Sequence, residues 1–230
     1  MFAAAGSHAL SRAIPEGLAA LLEEEIIFGL LPASARLTEE EVALRYGVSR
    51  SPVREALRLL ERDGLVLREA RRGIWVAPLS IKDFDEVYAC RIELEGLAAH
   101  GAALSRNRLR KQEFAALLER LRDAAARRDA KEFFLVDVQG SALTYDLADN
   151  KTLKRLLAGL EKQALRYRFL AYSRNPGIVD LSLEDTGRIY DAIVDGDAPA
   201  AREMTENLIR EIWQVMRVAF SQAFGEESAC

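Results

Sequence analysis

Residues 37–76, LTEEEVALRYGVSRSPVREALRLLERDGLVLREARRGIWV, decide the fold of the first part of the chain. Their apolar residues recur at helical spacing over 39–46 and again over 52–63. Alternating segments then flank the triplet Arg71-Arg72-Gly73, which predicts a two-stranded ribbon with a tight tip. The stretch therefore predicts two helices followed by a hairpin.

Local signals place the ends of the second of these helices and add a helix before them. Ser51 is a good N-cap, Pro52 suits the first helical position, and Gly64 suits the C-terminal cap. Upstream, 14–28 has the spacing of an amphipathic helix. Three helices followed by a hairpin is the order of a winged helix-turn-helix, which we assign to 14–79.

Basic residues are concentrated in this predicted domain. Residues 50–72 hold seven arginines against four acids, whereas the whole chain has a net charge of −4. Arg54 and Arg58 lie one turn apart on the helix over 52–63, and Arg50 lies just before it. The second helix of such a motif enters the major groove, where arginine binds guanine or phosphate. The alternative is an ordinary solvated, charged helix face.

The same stretch resembles the winged helix of the GntR family, most specifically in GVSRSPVREAL over 47–57. The resemblance implies that Arg50 and Arg54 contact bases and phosphates and that Gly73 stands at the wing tip. One departure is LLPASARL over 30–37, which lacks the glycine of the family's Pro-Gly turn. The residues expected at the DNA interface are Arg50, Ser51, Arg54, Arg58, Arg71, Arg72 and Gly73.

After Pro78 the sequence changes to long helical periods without a convincing strand. The predicted helices run over about 83–104, 107–128, 130–148, 151–173, 182–195 and 198–223. Six antiparallel helices make a bundle, so we assign 80–230 to an all-helical second domain. The fold class is therefore mainly α, with a winged helix-turn-helix followed by a helical bundle.

Polar residues lie on the predicted inward faces of this bundle. Arg91 falls on an apolar stripe, and a buried arginine needs an anionic partner. Asp137 and Ser141 share the stripe of the helix over 130–148, and Thr186 shares a face with apolar neighbours. This pattern suggests a polar cavity between helices. The alternative is purely structural: Arg91 pairs with Asp137, and the hydroxyl groups bond backbone carbonyls.

The second domain resembles the FadR-type (FCD) ligand-binding domain of the same family, in DFDEVYACRIELEGLAAHGAA over 83–103 and IYDAIVDGDAPAAREMTENL over 189–208. With the winged helix, the resemblance covers about 14–220. It implies that the arginine at position 91 faces an effector, often a small carboxylate. The residues expected at the effector site are Arg91, Asp137, Ser141, Tyr145, Thr186 and Asn207.

Many members of the resembled family hold a metal with one aspartate and three histidines. Asp137 matches the aspartate, but the histidine positions fall by spacing on Ser141, Thr186 and Asn207. An aspartate with hydroxyl and amide oxygens is a poor transition-metal site. We therefore expect neither bound metal nor cofactor.

The sequence predicts a transcription regulator, a repressor, that binds a palindromic operator of double-stranded DNA as a homodimer and responds to an organic acid. Two half-sites double the contacts that one small winged helix makes. A ligand-blind dimeric repressor is an open alternative. An enzyme fused to a DNA-binding module is a second, but no phosphate loop, catalytic triad or metal cluster supports it.

Composition sets the broad class of the chain. Its 230 residues are 50% hydrophobic and 30% charged, which is globular rather than disordered. Two cysteines suggest no disulfide framework, which fits the cytoplasm. No stretch approaches the roughly 18 apolar residues of a membrane span. Residues 1–13 lack the features of a signal peptide and are predicted to be a flexible tail.

Overall fold

The computed structural model describes residues 5–70 and 72–227, with side chains for 14–70 and 72–220. The chain divides into two compact units, Met1–Leu79 and Ser80–Cys230. The first unit contains α1 (Ala5–Ile27), β1 (Arg36–Leu37), α2 (Glu39–Tyr46), α3 (Arg50–Arg62), β2 (Val66–Glu69) and β3 (Gly73–Val76). The second contains α4 (Ile81–Leu104), α5 (Arg108–Lys111), α6 (Glu113–Ala126), α7 (Ala130–Leu147), α8 (Lys151–Arg174), α9 (Pro176–Asp195) and α10 (Ala198–Glu227).

The first unit is a winged helix-turn-helix, as its sequence predicts. Its core is one cluster in which α1 packs on α3 and α3 packs on β2, with Leu22, Val53, Leu57, Leu60 and Val76 fully buried. Thr38 caps α2 by accepting a hydrogen bond from the backbone of Glu41, and Gly47 ends the helix in a left-handed conformation.

The wing is a three-stranded sheet in the order β1-β3-β2, so the prediction of a two-stranded ribbon was incomplete. The short β1 pairs with β3 through Arg36 opposite Trp75. It follows the turn that lacks the family's glycine, where Ser34 takes the positive φ of 63°. The backbone nitrogen of Ser34 donates to Val76, which secures the turn to the sheet.

Two helix starts differ from the sequence predictions in this unit. α1 begins at Ala5, before the predicted start at residue 14, in an alanine-rich segment of high helix propensity. Residues 1–4 of the predicted tail lie outside the described residues. α3 begins at Arg50 with Ser49 as its N-cap, so the assignment of the cap to Ser51 was wrong.

The second unit is a bundle of long helices in which α4 packs most extensively on α10. The predicted helix over 107–128 is divided into α5 and α6 at Gln112. The predicted helix over 182–195 begins earlier, at Pro176, because Asn175 caps it and proline suits its first position. None of the helices within the described residues is long and apolar enough to cross a membrane.

Tyr167 of α8 anchors the beginning of this bundle. Its buried hydroxyl donates to Oδ2 of Asp83 at 2.6 Å and accepts from the backbone nitrogen of Ser80 at 3.3 Å. Its ring packs against Phe84, which in turn contacts Phe220 edge-on. A single tyrosine therefore fixes the first turn of α4 to the aromatic core of the bundle.

Replacing Tyr167 with phenylalanine is expected to lower the free energy of unfolding by about 1–2 kcal/mol, because Asp83 loses a hydrogen-bond donor. The measurement is a double-mutant cycle of Tyr167→Phe and Asp83→Ala by chemical denaturation of the full chain. The two losses should be less than additive in the double variant. Strict additivity would show that the hydrogen bond contributes nothing.

Candidate DNA-binding and effector sites

Helix α3 presents its arginines on the face opposite the core. Val53, Ala56, Leu57 and Leu60 are completely buried, as their spacing predicts. Arg50, Arg54 and Arg58 are consequently exposed along the other face, with side chains 61%, 51% and 60% accessible. Ser51 is exposed in the first turn of the helix. The four predicted residues of α3 thus lie on one accessible surface.

Acidic residues at the start of α2 hold two of these arginines. Arg54 donates through Nε and Nη2 to the two carboxylate oxygens of Glu39, at 2.9 and 2.8 Å. These hydrogen bonds hold the pKa of Glu39 below its ordinary value. Arg50 lies 3.0 Å from Glu40. The basic surface is therefore oriented by α2, and a ligand must compete with its carboxylates.

The wing supplies a second exposed basic site. Arg72 is 77% exposed and lies 3.4 Å from Glu69. Gly73 has a φ of 115°, a conformation that L side chains rarely adopt, so this position needs glycine. Arg71, which the sequence analysis included in the interface, lies outside the described residues.

A cavity of about 80 Å³ lies inside the helical unit. This volume suffices for several water molecules. Five of the six predicted effector-site residues line it: Arg91, Asp137, Ser141, Tyr145 and Thr186. Sequence reasoning missed other polar lining residues: Glu95, Thr144, Arg168, Tyr172, Tyr190 and Thr205.

Asn207 does not belong to this set. It is exposed and accepts a hydrogen bond from Arg210, while Thr205, Leu208 and Ile209 face the cavity from the same helix. The rotation of α10 about its axis therefore points the side chain of Asn207 away from the cavity. The expectation that Asn207 contributes to the cavity was wrong.

Arg91 is buried, as predicted, but its partner is not Asp137. Its Nε donates to Glu95 at 2.6 Å, one helical turn along α4. Its guanidinium carbon lies 4.7 Å from the centre of the Tyr88 ring. Burial tends to lower the pKa of Arg91, but the charge and hydrogen bond of Glu95, together with Tyr88, outweigh it, and the pKa lies above its ordinary value. Arg91 is a permanent cation in the cavity wall.

Asp137 pairs instead with Arg168, a residue that the sequence analysis did not select. Nη2 of Arg168 donates to Oδ2 of Asp137 at 2.6 Å and to the hydroxyl of Ser141 at 3.0 Å. The hydroxyl of Tyr172 donates to the same Oδ2 at 2.8 Å. Ser141 itself donates to the backbone oxygen of Asp137 at 3.2 Å, as the structural alternative predicted. Two residues of α8, Arg168 and Tyr172, thus hold the same carboxylate oxygen of Asp137.

Tyrosines form other parts of the wall. Burial raises the pKa of Tyr145 and of Tyr190, so both stay protonated. A Cβ atom at Gly140 would lie 1.8 Å from the Tyr190 hydroxyl. Only glycine at this position of α7 therefore lets Tyr190 span the space from α9.

The donor set does not suit a transition metal. No group of three or more histidine, cysteine or acidic residues that could hold a metal occurs in the described part of the chain. Asp137 already carries Arg168 and Tyr172 on one oxygen. Ser141 and Thr186 offer hydroxyl oxygens, which are weak ligands for zinc or nickel. The residues present do not fit the metal that the family resemblance implies.

Glu161 adds a fifth charged residue behind this cluster. Its Oε1 is buried without a hydrogen-bond partner within the described residues, beside Arg91, Glu95 and Arg168. Burial raises the pKa of this carboxyl above its ordinary value of 4.5, although Arg168 opposes the shift. The ionised form of Glu161 is therefore unfavourable in the folded protein.

We expect Glu161→Gln to raise the free energy of unfolding at pH 7.5. The folded state holds the proton of Glu161 more tightly than the unfolded state, so wild-type stability falls as the pH rises above 4.5. The advantage of the variant should shrink toward zero as the pH is lowered below that value. Denaturation of both proteins between pH 4 and 8 measures the difference.

The exposed Glu203 provides a control, since Glu203→Gln should give no such pH-dependent gain. A loss of stability in Glu161→Gln that grows as the pH rises and vanishes at low pH would contradict the prediction. It would mean that Arg168 stabilises the ionised carboxylate.

The geometry of both units agrees with known protein families. Residues 15–76 match the model of bacterial regulatory proteins of the gntR family, and 86–211 match the FCD domain. The HTH-type transcriptional regulator YdhC of Bacillus subtilis is 30% identical over 186 residues, which cover 79% of this chain and 81% of YdhC. The HTH-type transcriptional repressor RspR of Escherichia coli is 28% identical, covering 90% and 92%.

A solved structure shows the same fold. Escherichia coli McbR/YncC has a TM-score of 0.77 and 22% identity, and the match covers 92% of this chain and 98% of that one. The winged helix with its exposed arginines and the helical unit with its polar cavity thus correspond to two matched domains. The chain belongs to the gntR family of bacterial regulatory proteins and carries an FCD domain after its winged helix.

Proposed function

We propose that this regulator is a repressor that binds a palindromic operator as a homodimer and responds to a small organic acid bound in its FCD domain. The observation that carries the proposal is a pair of buried arginines, Arg91 and Arg168, in the wall of one cavity. The relative RspR, which is named as a repressor, supports the direction of control.

DNA contact is assigned to the exposed face of α3 and to the wing. The N-terminal residues of a recognition helix reach base edges, and Arg50 and Arg54 occupy that end of α3. Guanidinium groups can bind guanine or phosphate through two hydrogen bonds, as Arg54 binds Glu39 in the free protein. We infer that the carboxylates of Glu39 and Glu40 give way to DNA.

Arg54→Ala is expected to weaken binding to the operator roughly 5- to 150-fold, the range for losing a base-contacting arginine. Gel shifts or fluorescence anisotropy on DNA upstream of the regulator's own gene measure this, at fixed salt concentration. Arg188→Ala, at an exposed position in the FCD domain, is the matched control and should bind as wild type. Equal loss on operator and random DNA would assign Arg54 to phosphate alone.

Both buried arginines have hydrogen-bond donors that no protein oxygen among the described residues occupies. Each guanidinium has five N–H groups. Among the described residues, the hydrogen bonds to protein oxygens within 3.5 Å use Nε of Arg91 and Nη2 of Arg168. Hydroxyl groups of Thr186, Thr205 and Tyr190 line the same space. A cavity of about 80 Å³ that is lined by guanidinium and hydroxyl donors is suited to a small carboxylate, including a hydroxy acid.

A thermal-shift screen of small carboxylates and sugar acids should find at least one stabiliser that also releases operator DNA. The stabilisation should disappear in Arg91→Gln/Glu95→Gln, which removes both charges of the buried pair and leaves neither unpaired. Arg155→Gln, at an exposed position of α8, should respond as wild type.

A different outcome would favour a repressor that senses nothing. If no acid stabilises the wild-type chain while operator binding remains specific, the FCD domain serves dimerisation alone. Analytical ultracentrifugation tests the dimer itself, and a monomer at micromolar concentration would contradict that part of the proposal.

A further inference from the structure

The aspartate in the cavity needs a positive charge beside it. Asp137 has a side chain only 14% exposed, and an isolated carboxylate at such a site is strongly destabilising. Metal-binding members of the resembled family meet this need with a metal ion. In this chain the charged group in contact with Oδ2 of Asp137 is the guanidinium of Arg168, whose Nη2 lies 2.6 Å away, beside the neutral hydroxyl of Tyr172 at 2.8 Å.

We propose that Arg168 takes the place of the metal as a cation built into the chain. Its Nη2 contacts two of the positions that the resemblance assigns as metal ligands, Asp137 and Ser141. The third position, Thr186, lines the same cavity. The fourth, Asn207, is exposed and does not take part.

The guanidinium of Arg168 excludes a divalent cation from Asp137 because it repels positive charge and already occupies the space beside Oδ2. The guanidinium group of an arginine stays charged at every physiological pH. A metal at Asp137 would have to displace the guanidinium of Arg168. No histidine lies among the lining residues to bind the metal and offset the loss of this ion pair.

The replacement also keeps the site open to an anion. Arg168 uses Nη2 on Asp137 and Ser141, which leaves its other nitrogens for a ligand, as a bound metal would leave open positions. This last step rests on the proposed effector function, whereas the replacement of the metal does not. The two can therefore fail separately.

The first experiment grafts metal ligands onto the site. Ser141→His and Thr186→His, with Asp137, supply two nitrogens and one oxygen, a set that suits zinc. With Arg168 intact, this double variant should bind Zn²⁺ at least 100-fold more weakly than the triple variant that also carries Arg168→Ala. Calorimetry with Zn²⁺ on the full chain gives the affinities, and a Zn²⁺-dependent rise in Tm should occur in the triple variant alone.

Arg155→Ala, combined with the same two histidines, is the matched control and should remain a weak binder. Equal zinc affinity with and without Arg168 would overturn the proposal. So would stoichiometric Zn²⁺ or Ni²⁺ on the wild-type protein, or a wild-type Tm that EDTA lowers.

The second experiment tests the charge balance without any metal. Arg168→Met should lower the Tm on the order of 10 °C, because Asp137 is left buried and unpaired. Adding Asp137→Asn should restore at least half of the loss, since the amide carries no charge. Failure of this rescue would show that Arg168 does not serve to neutralise Asp137. A blank effector screen would leave both results unchanged and would count only against the proposed effector.

Discussion

The buried ion pair between Arg168 and Asp137 is the constraint around which the FCD domain is arranged. It joins α8 to α7 across the cavity, and Ser141 and Tyr172 complete its hydrogen bonds. A buried pair is tolerated only when such additional bonds offset the loss of hydration. The neighbouring pair, Arg91 with Glu95, meets the same requirement within α4. Together the two pairs leave the cluster electrically balanced while keeping guanidinium nitrogens at the cavity.

The winged helix also pairs arginines with carboxylates, but there the pairs are exposed to water. Arg54 makes two hydrogen bonds to Glu39, but both side chains are accessible to water and the pair is weak in net free energy. Phosphates and base edges can replace such a carboxylate at little cost. The arginines of α3 are thus oriented before DNA arrives without being committed to their protein partners.

Sequence periodicity was sufficient to predict which face of a helix is buried, because that pattern is local. The spacing of Val53, Ala56, Leu57 and Leu60 defined the buried face of α3 and therefore its exposed arginines. Arg91 could be placed inside because it falls on an apolar stripe of α4. Its partner Glu95, four residues later, was also visible in the sequence as an i,i+4 pair, whereas the sequence analysis had considered only Asp137 as the acidic partner.

Periodicity could not predict ion-pair partners that are distant in sequence, nor the rotation of a helix about its own axis. Arg168 lies 31 residues from Asp137, and only the packing of α8 on α7 brings them together. Asn207 was assigned from family spacing, which does not report the rotation of α10 about its own axis. The turn at Ser34 was not predicted for a related reason: its backbone nitrogen bonds Val76, which lies 42 residues later, and residue type alone does not reveal this contact or the positive φ.

The two units differ in how easily their ion pairs can be broken. Exposed pairs on α3 exchange partners easily, so they suit reversible contact with a polyanion. Buried pairs resist rearrangement because an unpaired charge in the bundle is costly, so any anion that recruits Arg168 or Arg91 must alter the balance with Asp137 or Glu95. These carboxylates lie on α7 and α4, and the residue before α4, Ser80, begins the FCD unit. A change in charge pairing at the cavity would therefore alter the contacts of α4, the first helix of the FCD unit.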